Sequence, residues 1–198
     1  MKTLLIDLDS EKILDVHEDT MYVVWPSHNS TSKLELNFVN SGVSAEIVGL
    51  FVVSKNKQIN FETVANHKVP STSCLTVVRG VLLEEGQADY IGKIIINKRA
   101  TETSSFLENS SLVVGENTKN NSQPILEIEN NEVKASHGST TGRISKDMLY
   151  YLMSRGIDKT DAEEMIIEGF FNSILGKIKD EEIVKILKER LKNELTIN

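Results

Sequence analysis

AEIVGLFVVSKNKQINFETVA, residues 45–65, holds two runs in which apolar side chains recur at every second position. Between them lies Ser54-Lys55-Asn56-Lys57, a polar turn. A period of two places alternate side chains on opposite faces of an extended strand, so both runs read as β-strands. The same grammar continues in both directions. LELNFV (34–39), LTVVRGVLLE (75–84), DYIGKIIIN (89–97), SLVV (111–114) and ILEIE (125–129) read as strands, separated by Asn, Ser, Gly or charged residues. No long helical pattern interrupts them. Periodicity alone leaves a sandwich, a barrel and a solenoid open, because no clean sequence repeat is visible.

After Ser145 the period changes. Ser145 is placed to cap a helix from Lys146 to about Arg155, with Gly156 as its C-terminal stop. Thr160 and Glu163 have capping-box spacing. The helix after them places Ala162, Met165, Ile166, Gly169, Phe170 and Ile174 on one face. Gly176 and Asp180 break and restart the chain, and a last helix aligns Ile183, Val184, Leu187, Leu191 and Leu195. The expected organisation is a β core over residues 1–135 and a C-terminal helical domain over 136–198. So much amphipathic helix exceeds what a β body of that size needs as a cap. Residues 146–198 are therefore expected to be removable without loss of the β body.

Composition narrows the function. The chain has 198 residues, 39% hydrophobic and 26% charged, as in soluble globular proteins. A formal net charge of −7 argues against nucleic acid or an anionic membrane as the partner. The apolar run in MKTLLIDLDS is too short for a secretion signal, and Ile47 to Val53, interrupted by Gly49, is too short to span a bilayer. The cytoplasm is the expected compartment. A single cysteine, Cys74, excludes an internal disulfide and a multi-cysteine metal cage within one chain.

His17, His28, His67 and His137 form no HxxxH or HExxH pair, and no phosphate-binding P-loop or GxSxG elbow occurs. Gly138-Ser139-Thr140-Thr141-Gly142 reads either as a hydroxyl-rich turn or as an anion cradle of backbone N–H groups. His67 reads as a strand-end histidine bonded to backbone, and Cys74 as a small buried residue rather than a nucleophile. Tyr150 and Tyr151 read as helix packing with exposed hydroxyls, and Trp25-Pro26 as a strand end. His137 sits before a glycine at the seam between β and helical grammar and is the candidate ligand residue.

VKASHGSTTGRISKDMLYYLMSRGIDKTDAEEMIIEGFF (133–171) resembles the C-terminal signature of the SufB/SufD iron–sulfur cluster assembly family. ETVANHKVPSTSCLTVVRGVL (62–82) resembles the family's His-x-x-Pro-x-x-Thr-Ser segment and the strand after it. DYIGKIIINKRATETSSFLENSSLVVGENTKNNSQPILEIENNEVKASHG (89–138) resembles its following rungs. The resemblance covers roughly residues 40–175 and implies a right-handed parallel β-helix followed by a helical segment. Members are about twice as long, so the resemblance reads this chain as a short form without most of the N-terminal part.

The resemblance further implies a non-enzymatic scaffold subunit. Such subunits pair with a SufB-like chain, or with themselves as a homodimer, and recruit a SufC-like ABC ATPase through the C-terminal helices. It places His137 at a shared Fe–S cluster site, as a metal ligand in the assembled complex, with no cofactor held stably by this chain alone. It implies ATPase contacts from Leu149, Leu152, Met153, Ile166, Phe170 and Phe171. Counting back from Gly115, Asn109 takes the place of the SufB scaffold cysteine, and Ser136 and Gly138 flank the histidine as in SufD. The chain is thus SufD-like, and Cys74 does not inherit the thiol's role. Two other readings remain: an ATPase adaptor that holds no cluster, and a polysaccharide-cleaving β-helix. The last lacks an aligned acid pair, since Glu127, Glu129 and Glu132 read as a solvated edge.

Overall fold

The computed structural model describes residues 1–196, so Ile197 and Asn198 of the expected helical domain lie outside the described residues. Eleven strands come first: β1 (Lys2–Leu8), β2 (Glu11–Val16), β3 (Thr20–Pro26), β4 (Thr31–Phe38), β5 (Ser44–Val53), β6 (Gln58–His67), β7 (Ser73–Leu82), β8 (Gln87–Ile96), β9 (Thr103–Val113), β10 (Lys119–Ile128) and β11 (Val133–Arg143). Helices α1 (Lys146–Ser154), α2 (Lys159–Leu175) and α3 (Glu181–Thr196) follow.

The odd strands form one six-stranded parallel sheet in the order β1-β3-β5-β7-β9-β11. The even strands form a five-stranded parallel sheet, β10-β8-β6-β4-β2. The chain therefore winds back and forth between two faces, and each strand stacks on the one a turn earlier. This is a β-solenoid, and it removes the sandwich and barrel alternatives. The step grows from 18 residues between Lys2 and Thr20 to 31 between Ser73 and Ser104. That drift hides the repeat from a fixed-period reading.

The corners of the solenoid are built by residues in the left-handed region. Asn29, Asn56, Glu85 and Asn117 have φ of 53–61°, as do Ser71 and Glu102, and Gly42 has φ 79°. The backbone N–H groups of Asn29, Gly42, Ser71, Glu85 and Glu102 bond to the next turn, as in Asn29 to the Gln58 carbonyl at 2.7 Å and Glu102 to the Glu132 carbonyl at 2.8 Å. Asparagine tolerates this region and glutamate does so at a cost.

Alternation decides the interior. Leu34, Leu36, Phe38, Ile47, Phe51, Ile59, Val78 and Leu82 are fully buried between the sheets. Gly80 lies against the Phe51 ring, in the space a Cβ would occupy, so the glycine makes room for the ring.

The outward face of the six-stranded sheet is also apolar. Val23, Val48, Leu50, Val52, Val77 and Val81 are covered by Ile167, Phe171, Ile174 and Leu175 of α2 and by Ile183, Leu187 and Leu191 of α3. Arg190 of α3 donates from its two terminal guanidinium nitrogens to the Asp7 carboxylate of β1, and Lys57 pairs with Glu194 at 2.8 Å. The Arg190 hydrogen bond holds the Asp7 carboxyl below the usual range.

Several expectations change. The helices α2 and α3 complete the core, so residues 146–198 are not a removable tail: deleting them would bare the apolar face just described. The strands β1, β2 and β3 extend the solenoid upstream of residue 34. β11 runs to Arg143, so residues 136–143 are strand rather than helical segment. Ser145 caps α1 as expected, accepting from the Met148 N–H at 3.4 Å, and Gly156 follows with φ 89°. The cap of α2 is Asp158, which accepts from the Asp161 N–H at 3.0 Å, instead of Thr160. The buried face shifts accordingly to Ala162, Ile167, Phe171, Ile174 and Leu175, and Met165 is exposed.

Candidate functional site

β11 and β10 are the last strands of their sheets, and none of the described residues forms a strand stacked on either. The space between the sheets therefore opens to solvent at this end. Register fixes which side chains line the opening. In one inward column Leu4, Tyr22, Ile47, Thr76 and Leu107 are followed by His137. In the next, Ile6, Val24, Gly49, Val78 and Asn109 are followed by Ser139. Leu107 and Asn109 are buried, while His137 and Ser139 above them are exposed.

His137 thus stands in the middle of a strand, on the inward face of the open end, and not at a junction before a helix. Residues 138–142 are part of the same strand and pair with β9, so they are neither a turn nor a backbone cradle for an anion. Farther along the same edge, hydroxyls and amides bond to one another. Asn120 donates to the Thr141 hydroxyl at 2.8 Å, Ser139 to Ser122 at 3.1 Å, and Ser122 to the Asn109 carbonyl at 3.1 Å. Asn120 and Ser122 were not singled out by sequence reasoning, and Ser139 and Thr141 were read only as part of a turn or cradle over residues 138–142. The signal was present in polar residues at alternate positions of NNSQP and SHGSTTG, where the earlier strands carry aliphatic ones.

The other candidates fall elsewhere. His67 is fully buried and stacks on Phe38, with ring centroids 4.2 Å apart. Its ring nitrogens meet the hydroxyls of Thr72 (2.8 Å) and Ser105 (3.0 Å), side chains rather than the expected backbone. Desolvation lowers its pKa to about 4, so it is a neutral core residue. Cys74 is buried beside Thr76, and desolvation pushes its thiol up to about 12, which removes it as a nucleophile. Among the described residues no three His, Cys, Asp or Glu side chains are grouped to hold a metal ion. A metal bound by His137 would therefore take further ligands from another molecule.

The residues expected to meet an ATPase do not share one surface. Met153 is exposed, Leu149, Leu152, Ile166 and Phe170 are half-buried, and Phe171 is sealed against the sheet. Phe171 is a core residue because its face of α2 packs on β7 within the cluster that α2 and α3 seal. The helix α1 buries none of its residues. It leaves Met148, Tyr150, Tyr151 and Met153 exposed, with Met165 of α2 also exposed. Among the described residues no helix is long and apolar enough to cross a membrane.

A family model described as SUF system FeS cluster assembly, SufBD core domain, matches residues 17–170. An iron–sulfur cluster assembly SufBD family protein of Mycobacterium tuberculosis is 31% identical over 170 residues, which covers 82% of this chain and 43% of the relative. The iron–sulfur cluster assembly protein SufD of Escherichia coli is 30% identical over 168 residues, with 85% and 39% covered. A SufBD family protein of Staphylococcus epidermidis is 26% identical over 176 residues, with 86% and 38% covered. The chain spans less than half the length of these relatives.

Proposed function

The chain belongs to the SufBD family of iron–sulfur cluster assembly, and on that premise we propose that it is a non-catalytic subunit of an assembly scaffold. It pairs with a SufB-like chain or a second copy of itself through the open end of the solenoid. Iron and sulfide are its cargo. The observation that carries this reading is the position of His137, exposed on the inward face of an unpaired edge within the matched region. A neutral imidazole there offers a lone pair to iron, while the remaining ligands come from across the interface. Two unpaired parallel-sheet edges supply the backbone groups with which a partner's strands can bond.

ATPase recruitment falls to α1. Its exposed Met148, Tyr150, Tyr151 and Met153 are anchors of the kind a helix-binding groove accepts, and Leu149 and Leu152 support them from the half-buried side. Phe171 takes no part.

A second reading has its own support. Asn109 stands where the scaffold thiol is expected, and the single cysteine is sealed in the core. The chain then brings no accessible thiol and acts as an adaptor for the ATPase, with no cluster at His137. One experiment separates the two. The chain is co-expressed with its ATPase and a SufB-like partner, purified by a tag on this chain, and assayed for iron and acid-labile sulfide. The scaffold reading predicts ATPase, iron and sulfide together. ATPase without iron or sulfide selects the adaptor, and recovery of neither partner overturns both.

A further inference from the structure

The two ends of the stack carry different side chains. At the first turn, among the described residues, no strand stacks below β1 or β2. Lys12 of β2 stands at an inward position, in line with the buried Leu34 and Thr63. Leu14 and Val16, its neighbours on the same face, pack into the core. The Lys12 ammonium does not follow them. It crosses the mouth to the other sheet and donates to the Asp7 carbonyl of β1 at 3.1 Å. That carbonyl belongs to the free edge. The Lys2 N–H bonds to the Asp19 carbonyl and the Leu8 carbonyl accepts from the Ser27 N–H, both on the β3 side. Alternation along the strand therefore turns the backbone groups of Asp7 the other way. Lys12 occupies an acceptor that an incoming strand would need. The rim around it is charged, with Lys2, Asp9, Glu11, Asp15 and Glu18 exposed.

The last turn offers this lysine nothing in return. Its inward positions are the alternate residues from Ala135 to Arg143 on β11 and from Asn120 to Ile128 on β10, and none is acidic. Lys12, Leu34, Thr63, Gly92 and Pro124 form one column. If the last turn of one copy ran on into the first turn of the next in unbroken register, Pro124 would lie beneath Lys12. Stacked strands are about 4.8 Å apart. At that separation the ammonium loses its water and meets no carboxylate, and Arg143 on the same inward face has the same sign. An unpaired buried charge is costly. Two last turns that meet about a two-fold axis instead leave Lys12 at the far ends, in water, and such an interface closes on itself.

We infer that Lys12 bars end-to-end stacking at the first turn, so that an assembly joined through the last turn stops at a pair. An inward lysine on a charged rim is a known means of keeping a sheet edge from pairing. The pair itself rests on the function proposed above, whereas the bar is a property of the first turn.

Sedimentation velocity of the full chain, followed as concentration rises, tests this, with negatively stained samples imaged alongside. The parent should never exceed the mass of a dimer. Lys12→Leu, which extends the apolar column and frees the Asp7 carbonyl, should grow past the dimer into rods. Lys12→Arg should behave as the parent. Adding Ser139→Lys to Lys12→Leu puts a charge on the inward face of the last turn and should abolish the rods. If Lys12→Leu precipitates or misfolds, Lys12→Ala decides, since it removes the ammonium without adding a large apolar group. Rods of the parent, or folded Lys12→Leu and Lys12→Ala that stay at or below the dimer, overturn the bar. Growth that survives Ser139→Lys overturns end-to-end stacking as its cause. A parent that stays monomeric while Lys12→Leu forms rods removes the pair of identical copies and keeps the bar.

Discussion

In the column that begins at Leu4, the side chains are apolar or packed until the last, where His137 stands in the open. In the neighbouring column Ile6, Val24 and Val78 give way to Asn109 and then Ser139. Parallel pairing runs the length of each column, from its middle turns to its last. What differs is whether another turn lies above. A middle turn is sealed on both sides, and apolar side chains there are removed from water at about 25 cal/mol per Å². The last turn has no neighbour, so the same inward positions meet solvent or a partner. Hydroxyls, amides and an imidazole belong there for the reason that Leu and Phe belong two turns below. At its last turn the solenoid thus leaves inward positions facing out of the stack.

The largest expected effect tests the sealed side. Phe51→Ala removes a ring packed in the space beside Gly80 and should cost roughly 3–5 kcal/mol in urea unfolding. Ser139→Ala at the open end should stay within about 0.5 kcal/mol. Equal costs would erase the difference between the two regions.

The second contrast is between covered and uncovered helix. Leu187 of α3 is fully buried on the outer face of the sheet, so Leu187→Ala should destabilise by roughly 2–5 kcal/mol. Tyr150 of α1 is 75% exposed, and Tyr150→Ala should leave stability within about 0.5 kcal/mol while weakening capture of the ATPase. Thermal or urea unfolding of both variants, with a pull-down, checks the pair.

The buried histidine gives a pH test of the sealed side. His67 is held neutral by burial, with its pKa lowered from 6.5 to about 4. The unfolded chain therefore binds the extra proton first. The associated stability is fully present above pH 6.5 and is lost as pH falls toward about 4, a change of about 3 kcal/mol. His67→Phe should flatten that part of the stability–pH curve relative to the parent. An unchanged slope would mean that the buried imidazole is not its source.

The smallest effect lies at the corners. Glu85 holds φ 53° with a side chain unsuited to it, and its pairing with Lys55 is exposed. Glu85→Gly should raise stability by about 0.5–1 kcal/mol, read as a shift of the urea midpoint. A loss would show that the ion pair outweighs the backbone strain.

The contrast also explains what the sequence made legible. β4 and β6 show their period because their inward positions are mostly apolar and their outward ones mostly polar, as in residues 59–65, while β5 and β7 read as near-continuous apolar runs because helices cover their outer face as well. β11 hides its period because its inward positions, Ala135, His137, Ser139 and Thr141, are as hydrophilic as most of its outward ones. Residues 138–142 therefore resemble a turn. The stack itself escaped pattern reading because turn length drifts and the corner residues differ in type. The family resemblance supplied what the period did not. For α2, a capping-box match at Thr160 obscured Asp158, and the buried face was misplaced by one position for Ile167 and Phe171. No local signal reports that the face carrying Ile167 and Phe171 meets β7, more than 80 residues earlier in the chain.

The most direct test of the account is His137→Ala in the co-expressed complex, measured as iron and acid-labile sulfide per complex. Unfolding of the isolated variant is followed alongside. With the side chain exposed at the open end, the account predicts stability within about 0.5 kcal/mol of the parent, intact capture of the ATPase, and a severalfold loss of iron and sulfide. Unchanged cluster content in a folded variant, or a variant that unfolds, would contradict it.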